Sequence, residues 1–299
     1  MKGVSFSRSP LLCLTIAQIA LSACSFAGCP QAPDCAKVVR DLSYVTGGHE
    51  RQKLDLYLPN TMKGPLIVWI HGGGWQSQTK DDVEALQLLT LGYTVASLDY
   101  RYSYDAIFPA QIEDCKAAIR WLRAHAGEYG YDPKRIGALG ASAGGHLTAL
   151  LATTSGVREF DVGANLDQSS AITCGIDMFG PTDLLGFQSP TDNPLIQRSG
   201  AQSIIAQLLG GPMAEKMDLA RRASPTTWVT KESAPLYIIH GAKDQVVPLE
   251  QSQRFTDKLK AAGVDVALDV VDGGGHGGKE FWTVGRSKRL AEFLNRCLM

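Results

Sequence analysis

The sequence predicts an α/β fold in which a mostly parallel central sheet carries helices on both faces. Short apolar runs alternate with helical patterns from residue 43 onward, and glycine-rich loops directly follow several of these runs. The 299 residues are 44% hydrophobic and 20% charged, which is enough apolar side chain for a large core and excludes global disorder. We therefore expect one domain over residues 41–299.

The predicted strands are of two kinds. Residues 52–58 alternate between apolar and polar side chains, as a half-buried strand does, whereas residues 66–70 are continuously apolar. A continuous apolar run is typical of a strand that is buried on both faces of a parallel sheet. The remaining strands are predicted at residues 93–98, 135–139, 172–178, 236–239 and 264–271.

Helical periodicity separates the strands, most clearly where Ile112, Cys115, Ile119 and Leu122 recur within residues 109–125. The other predicted helices cover residues 81–91, 144–153, 249–262 and 280–298. Between residues 179 and 231 the alternation lapses, and proline and glycine interrupt short helical patches. That stretch is too long for a simple connection, so we expect a small cap or lid over one end of the sheet.

The N-terminus has the pattern of a targeting segment. Lys2 and Arg8 precede an apolar stretch of about ten residues, and Leu21-Ser22-Ala23-Cys24 follows it. This pattern predicts a signal peptide over residues 1–23. It resembles the lipobox of bacterial lipoproteins, in which Cys24 would be lipidated and tethered by residues 24–40; an ordinary cleaved signal is the alternative. We expect an exported protein, held at the periplasmic or outer membrane by this anchor or else secreted.

Seven cysteines occur, and their spacing with histidine matches no zinc site. Cys29 and Cys35 are close in sequence, so export would allow a disulfide between them. The three cysteines of the domain lie in apolar patterns and are expected to be buried: Cys115, Cys174 and Cys297. The chain carries 29 basic and 30 acidic residues without a basic stripe, which argues against a nucleic-acid partner.

A serine lies between an apolar run and a helical pattern, in Gly140-Ala141-Ser142-Ala143-Gly144. This context is typical of a nucleophile elbow, a turn so sharp that only very small residues fit beside the serine. The alternatives are an incidental glycine-rich turn and a dinucleotide-binding loop, but the glycine spacing of that loop is missing. The pattern therefore favours Ser142 as a nucleophile.

Three glycines directly follow the predicted strand 66–70, in His71-Gly72-Gly73-Gly74-Trp75. Bare backbone N–H groups at such a position suit the stabilisation of a developing oxyanion. We expect His71 to hold this loop by hydrogen bonds rather than to act as a base. Trp75 is expected either to form a wall of an acyl pocket or to belong to the core.

A serine nucleophile needs a base and a residue that orients the base. Asp244 follows the predicted strand 236–239, and His276 lies among glycines after the strand that ends at Val271. Both positions are at the C-terminal ends of strands, where open α/β sheets bind ligands. We take His276 as the base and Asp244 as its partner, with Asp272 as the substitute acid. The other histidines are expected to be structural: His49, His125, His146 and His240.

With these motifs the chain resembles the α/β-hydrolase fold over roughly residues 40–299. It is most similar to carboxylesterases with an HGGG oxyanion loop, namely hormone-sensitive-lipase-like enzymes and the bacterial acetylxylan and feruloyl (BD-FAE-like) esterases. The resemblance includes further motifs: Asp99-Tyr100-Arg101, Phe108-Pro109-Ala110, Arg120-Trp121-Leu122, Asp132-Pro133-Lys134-Arg135-Ile136, Gly180-Pro181-Thr182-Asp183 and Ser224-Pro225. Ala141 stands where the lipase-like branch usually has aspartate, which favours the bacterial polysaccharide-esterase branch. By this resemblance the oxyanion donors are the N–H groups of Gly73, Gly74 and Ala143.

The sequence therefore predicts a serine carboxylesterase that acts through an acyl-enzyme and needs no metal or cofactor. The expected substrates are short-chain acyl or hydroxycinnamoyl esters, free or on a polysaccharide such as acetylated or feruloylated xylan. A peptidase or an arylformamidase would share every catalytic residue and is the first alternative. A non-catalytic surface module is the second alternative.

Overall fold

The computed structural model describes residues 35–60, 64–187 and 203–299, with side chains from residue 37 onward. The predicted signal peptide, the lipidation at Cys24 and the Cys29–Cys35 disulfide lie outside the described residues, as does most of the tether. Part of the predicted cap, residues 188–202, also lies outside them. Among the described helices, none combines the length and the apolar character that a membrane span requires.

An eight-stranded sheet forms the centre of the domain, in the order β1-β2-β4-β3-β5-β6-β7-β8. β1 and β2 pair antiparallel, as do β2 and β4, and all other neighbours are parallel. The predicted fold class, a mostly parallel α/β sheet, is thus confirmed. The strands are β1 Cys35–Ser43, β2 Lys53–Pro59, β3 Leu66–Ile70, β4 Thr94–Leu98, β5 Ile136–Ala141, β6 Gly175–Met178, β7 Leu236–Gly241 and β8 Val266–Val271.

Helices cover both faces of this sheet. They are α1 Ala110–Tyr129, α2 Ala143–Thr153, α3 Ile204–Leu209, α4 Met217–Arg222, α5 Leu249–Ala261 and α6 Val284–Leu298. Alternate residues of β3 enter two separate cores: Val68 joins the cluster with α1, α2 and α5, and Trp69 joins the cluster with α6. Both cores exclude water, which explains why β3 is apolar at every position.

Two expectations from the sequence were wrong, one about the first edge strand and one about a helix. Residues 35–40, assigned to the tether, belong to β1, an edge strand whose charged residues and irregular register hide it from a periodicity search. The helix expected over residues 81–91 is only a 3₁₀ turn, Leu86–Leu91. Asp82 explains the difference, because its carbonyl accepts the indole N–H of Trp69 and its carboxylate accepts the N–H of Thr79.

Candidate active site

Ser142 occupies the turn between β5 and α2, with φ of 55° and ψ of −116°. Its N–H donates to the carbonyl of Met178 on β6 at 2.8 Å, which fixes the turn to the neighbouring strand. A Cβ at Gly144 would lie 2.0 Å from the oxygen of Ile70, and one at Gly140 would lie 2.3 Å from the oxygen of Gly144. The two glycines are therefore a steric requirement of the turn.

His276 connects this serine to an acid. Its Nε2 lies 2.8 Å from Oγ of Ser142, and its Nδ1 lies 2.7 Å from Oδ2 of Asp244. Because the carboxylate can only accept, Nδ1 carries the proton and Nε2 is free to accept from the serine hydroxyl. The ring also packs edge-to-face on Phe179, with 4.7 Å between centroids. This arrangement has the hydrogen-bond order of a serine–histidine–acid triad.

The carboxylate of Asp244 is fully buried and completely satisfied. Its Oδ1 accepts from the N–H groups of Val246 and Val247 at 2.8 and 2.9 Å, and Nε2 of His240 lies 3.3 Å from Oδ2. Burial alone would raise the pKa of Asp244, but hydrogen bonds from His240, His276 and Val246 outweigh it and hold the pKa well below its usual range. The residue is thus a stable anion beside His276.

Asp272, the substitute acid, is exposed. Neither ring nitrogen of His276 pairs with it among the described hydrogen bonds. His240 was expected to be structural, and it is buried. Its Nδ1 lies 2.7 Å from Oγ of Ser252, and its Nε2 lies 2.8 Å from the carbonyl oxygen of Val247. Its approach to Asp244 gives it a supporting role at the site that the sequence did not reveal.

The glycine loop after β3 lies beside Ser142. Gly73 and Gly74 both adopt positive φ, 83° and 59°, and a Cβ at Gly73 would lie 2.1 Å from the oxygen of Ser77. No described residue accepts a hydrogen bond from the N–H of Gly73, Gly74 or Ala143. Ala143 is the first residue of α2, where backbone N–H groups lack helical partners. The N–H groups of the three predicted oxyanion donors are therefore unpaired among the described residues, and Gly74 and Ala143 line one cavity together with Ser142.

His71 is buried behind this loop, in the structural role that the sequence predicts. Its Nδ1 lies 3.1 Å from the oxygen of Gly72, and its Nε2 lies 3.2 Å from Nη2 of Arg51. Tyr100 stacks on its ring at 4.3 Å and donates its hydroxyl proton to the carbonyl of Gly72. Arg51 is held in turn by Asp99 at 2.9 Å. The loop therefore rests on a buried polar network.

An apolar cavity opens beside Ser142. The described residues that line it come from the glycine loop, the elbow, the predicted cap and the loop after β7: Gly74, Trp75, Ser142, Ala143, Pro181, Phe187, Ile204, Ile205, Val246 and Val247. Trp75 is buried in the core cluster that contains Val68 and also lines the cavity, so both of its predicted positions are found. The cap residues that line the cavity are all apolar: Pro181, Phe187, Ile204 and Ile205.

No described group of three or more His, Cys, Asp or Glu side chains has an arrangement suited to a metal ion. What the described site offers is a hydroxyl, an imidazole, an anionic carboxylate and free backbone N–H groups. These are the components that acyl transfer requires.

The comparisons with known proteins agree with this chemistry. The family model BD-FAE matches residues 54–259. The probable carboxylic ester hydrolase LipM of Mycobacterium tuberculosis (strain ATCC 25618 / H37Rv) is 31% identical over 231 residues, which are 74% of this chain and 51% of LipM. The chain spans about half to three-fifths of the length of the first curated relatives that it matches.

Solved structures are similar as well. A truncated carbohydrate esterase from gut microbiota superposes with a TM-score of 0.82 at 30% identity, covering 89% of this chain and 98% of that one. The acetyl ester-xyloside bifunctional hydrolase from Caldicellulosiruptor lactoaceticus gives a TM-score of 0.64 at 28% identity, covering 82% and 86%. Because the family model extends from β2 to α5 and includes Ser142 and Asp244, the chain belongs to the BD-FAE family.

Proposed function

We propose that the protein is a serine carboxylesterase with Ser142 as nucleophile, His276 as base and Asp244 as the residue that orients the base. The observation that carries the proposal is the continuous hydrogen-bonded path from Ser142 through His276 to the buried Asp244. Two further observations support the proposal. The three residues lie at the C-terminal ends of parallel strands, and the similar proteins include esterases.

The proposed reaction forms an acyl-enzyme and then hydrolyses it. Oγ of Ser142 attacks the ester carbonyl carbon while its proton passes to Nε2 of His276, and the buried Asp244 stabilises the imidazolium. The N–H groups of Gly73, Gly74 and Ala143 receive the oxyanion. The tetrahedral intermediate collapses as His276 returns the proton to the departing alcohol. A water that His276 deprotonates then cleaves the acyl-enzyme, releasing the acid and restoring Ser142.

The proposed substrates are short-chain acyl or hydroxycinnamoyl esters, including esters carried by a polysaccharide such as acetylated or feruloylated xylan. The titles of the similar structures support the carbohydrate part of this proposal. The walls of the cavity support the short acyl chain, since Trp75, Phe187 and Ile204 enclose the space beside Ser142. Turnover of p-nitrophenyl esters from C2 to C12, methyl ferulate and acetylated xylan tests the proposal.

The panel separates this function from the alternatives. An anilide with the same acyl group as the best ester should be turned over far more slowly. Faster turnover of the anilide would favour the peptidase or arylformamidase alternative. No turnover of any ester, together with no labelling by a fluorophosphonate, would favour the non-catalytic surface module.

We propose further that the protein is exported as a lipoprotein anchored at Cys24, on the sequence pattern of residues 1–24. Expression with its own signal in a bacterium should give a membrane-associated, detergent-soluble product. Cys24→Ser should block this processing or release a soluble form. A mature N-terminus elsewhere, found by mass spectrometry, would contradict the anchor and favour plain secretion.

A further inference from the structure

His146 is fully buried one helical turn after Ser142, yet it takes no part in the proposed reaction. It makes two hydrogen bonds to elements that are far apart in sequence. Nε2 lies 2.7 Å from the carbonyl oxygen of Ala223, and Nδ1 lies 3.3 Å from Nε1 of Trp75. The imidazole therefore joins the helix behind the nucleophile to a wall of the cavity and to the cap.

The two partners permit only one state of this ring. A carbonyl oxygen only accepts and an indole N–H only donates, so Nε2 must carry the proton and Nδ1 must be bare. A second proton would place two N–H groups opposite each other. Burial lowers the pKa of His146 to about 4, although the bond to Ala223 acts in the opposite direction, so the ring is neutral under ordinary assay conditions.

Trp75 is held in an unusual backbone conformation for a bulky residue. Its φ is 60°, in the left-handed region that favours glycine, and such residues persist only where surrounding contacts fix them. Two contacts do so here, because its carbonyl accepts the N–H of Ser103 at 2.8 Å and its indole bonds and packs edge-on against His146. The indole then lines the cavity beside Gly74 and Ser142.

The other partner of His146, Ala223, belongs to the cap. Ala223 directly follows α4 in the cap, and the next residue, Ser224, accepts the N–H of Leu184 with its hydroxyl at 2.9 Å. Three residues after Leu184, Phe187 lines the same cavity as Trp75. One imidazole thus sets the position of the indole relative to the part of the cap that carries Phe187.

We propose that His146 is a positioning residue that sets the acyl-chain-length preference by holding the indole of Trp75 at the closed end of the acyl pocket. This inference rests on the proposed function, since it assigns a specificity device to the same site. Replacement of His146 by an apolar residue leaves a buried indole N–H and a buried carbonyl without partners. Both groups then recover hydrogen bonds by moving toward water, and the pocket lengthens as the indole moves away.

The test is kcat/KM for p-nitrophenyl esters from C2 to C8, each normalised to the C2 ester of the same variant. The variants are His146→Leu, Trp75→Ala, the double variant and His146→Gln, which keeps a donor and an acceptor. His125→Leu is the matched control, because His125 also stacks on a tryptophan, Trp121, but lies on α1 away from the cavity. Circular dichroism and thermal melting establish that each variant is folded.

We expect His146→Leu to shift the preference toward longer chains, with a gain approaching fourfold for each methylene that the lengthened pocket admits. Trp75→Ala should shift it further, and the double variant should have the chain-length preference of Trp75→Ala, because the inference assigns the effect of His146 on that preference to the indole. His146→Gln should retain more of the wild-type preference than His146→Leu. If His146→Leu does not fold, the comparison of His146→Gln with Trp75→Ala decides the same question.

An equal loss at every chain length in His146→Leu, or an additive effect in the double variant, would overturn the inference while leaving the esterase intact. Failure of the proposed function has a different signature, in which the wild type and His125→Leu hydrolyse none of the esters. A His125→Leu profile that shifts like that of His146→Leu would show a general effect of histidine loss, which also contradicts the inference.

Discussion

Ser142 and His276 are 134 residues apart in the chain, yet Oγ and Nε2 lie within 2.8 Å of each other. The serine stands at the end of β5, and the histidine follows β8 three strands along the sheet. Between them, Asp244 follows β7 and fixes the imidazole from its other side. The parallel sheet therefore brings three loops together at the C-terminal ends of its strands, and the glycines in these loops allow the three side chains to come within hydrogen-bonding distance.

Asp244→Asn should lower kcat by about 10²–10⁴, because an amide NH₂ opposite Nδ1 favours the wrong tautomer of His276. The matched control is Asp272→Asn, at the exposed acid close to the same histidine in sequence. Steady-state kinetics on a short-chain ester should show little change in the control. If the two variants exchange effects, Asp272 is the acid and the assignment of Asp244 is wrong.

Asp177 is buried in β6, where its Oδ1 accepts the N–H of Gly180 and its Oδ2 has no partner among the described residues. Burial raises the pKa of Asp177 to about 7, against the lowering effects of Gly180 and His240. Because the pKa of Asp177 is raised in the folded protein, its protonated form contributes to folding stability below about pH 4, and this contribution is lost as the pH rises toward 7.

Asp177→Asn removes this titration, so its stability relative to the wild type should increase with pH between about 4 and 7. The slope should approach about 1.4 kcal/mol per pH unit and vanish above pH 7. Urea unfolding of both proteins from pH 4 to 8 measures the difference. A constant difference across that range would mean that Asp177 does not titrate there.

Gly140→Ala should destabilise the protein by about 3 kcal/mol or prevent folding, because the new methyl group meets the backbone of Gly144. Gly127→Ala is the control, since nothing lies within 4 Å of its Cβ position in α1. The control should gain about 0.5–1 kcal/mol from the better helix former. Chemical denaturation compares the two, and similar values for both would show that the elbow is looser than described.

Tyr100→Phe should lower kcat about tenfold at unchanged KM, because the oxyanion loop loses the hydroxyl that holds the carbonyl of Gly72. Removing such a buried donor should also cost about 1–3 kcal/mol of stability. Tyr131→Phe is the control, as its buried hydroxyl donates to Leu122 at 2.6 Å within the remote α1 region. The control should show a similar stability loss with normal kcat. Equal kcat losses in both would assign the effect to stability alone.

The sequence predicted those parts of the molecule whose signal is local. Leu66–Ile70 was placed residue by residue because burial on both faces leaves no polar position. The glycine-flanked serine and the HGGG loop could be found because close backbone approach demands glycine at fixed spacing. His276 and Asp244 could be proposed because each follows a recognisable strand.

The parts that the sequence did not reveal depend on contacts across the fold. β1 went unrecognised because an edge strand carries charge on both sides, as Lys37 and Arg40 show. Phe179 gave no signal for its packing on His276, since an aromatic residue after a strand is ordinarily core. The bond between His146 and Trp75 joins positions 71 residues apart, and no periodicity encodes it.

The central claim is that Ser142 carries the acyl group. The direct test is intact-protein and peptide mass spectrometry after reaction with a fluorophosphonate, alongside hydrolysis of a short-chain ester, in the wild type and in folded Ser142→Ala. We predict one adduct per wild-type chain, located on Ser142, and a loss of about 10⁴–10⁶ in kcat with no adduct in the variant. An adduct on another residue, or undiminished ester hydrolysis by Ser142→Ala, would contradict the account.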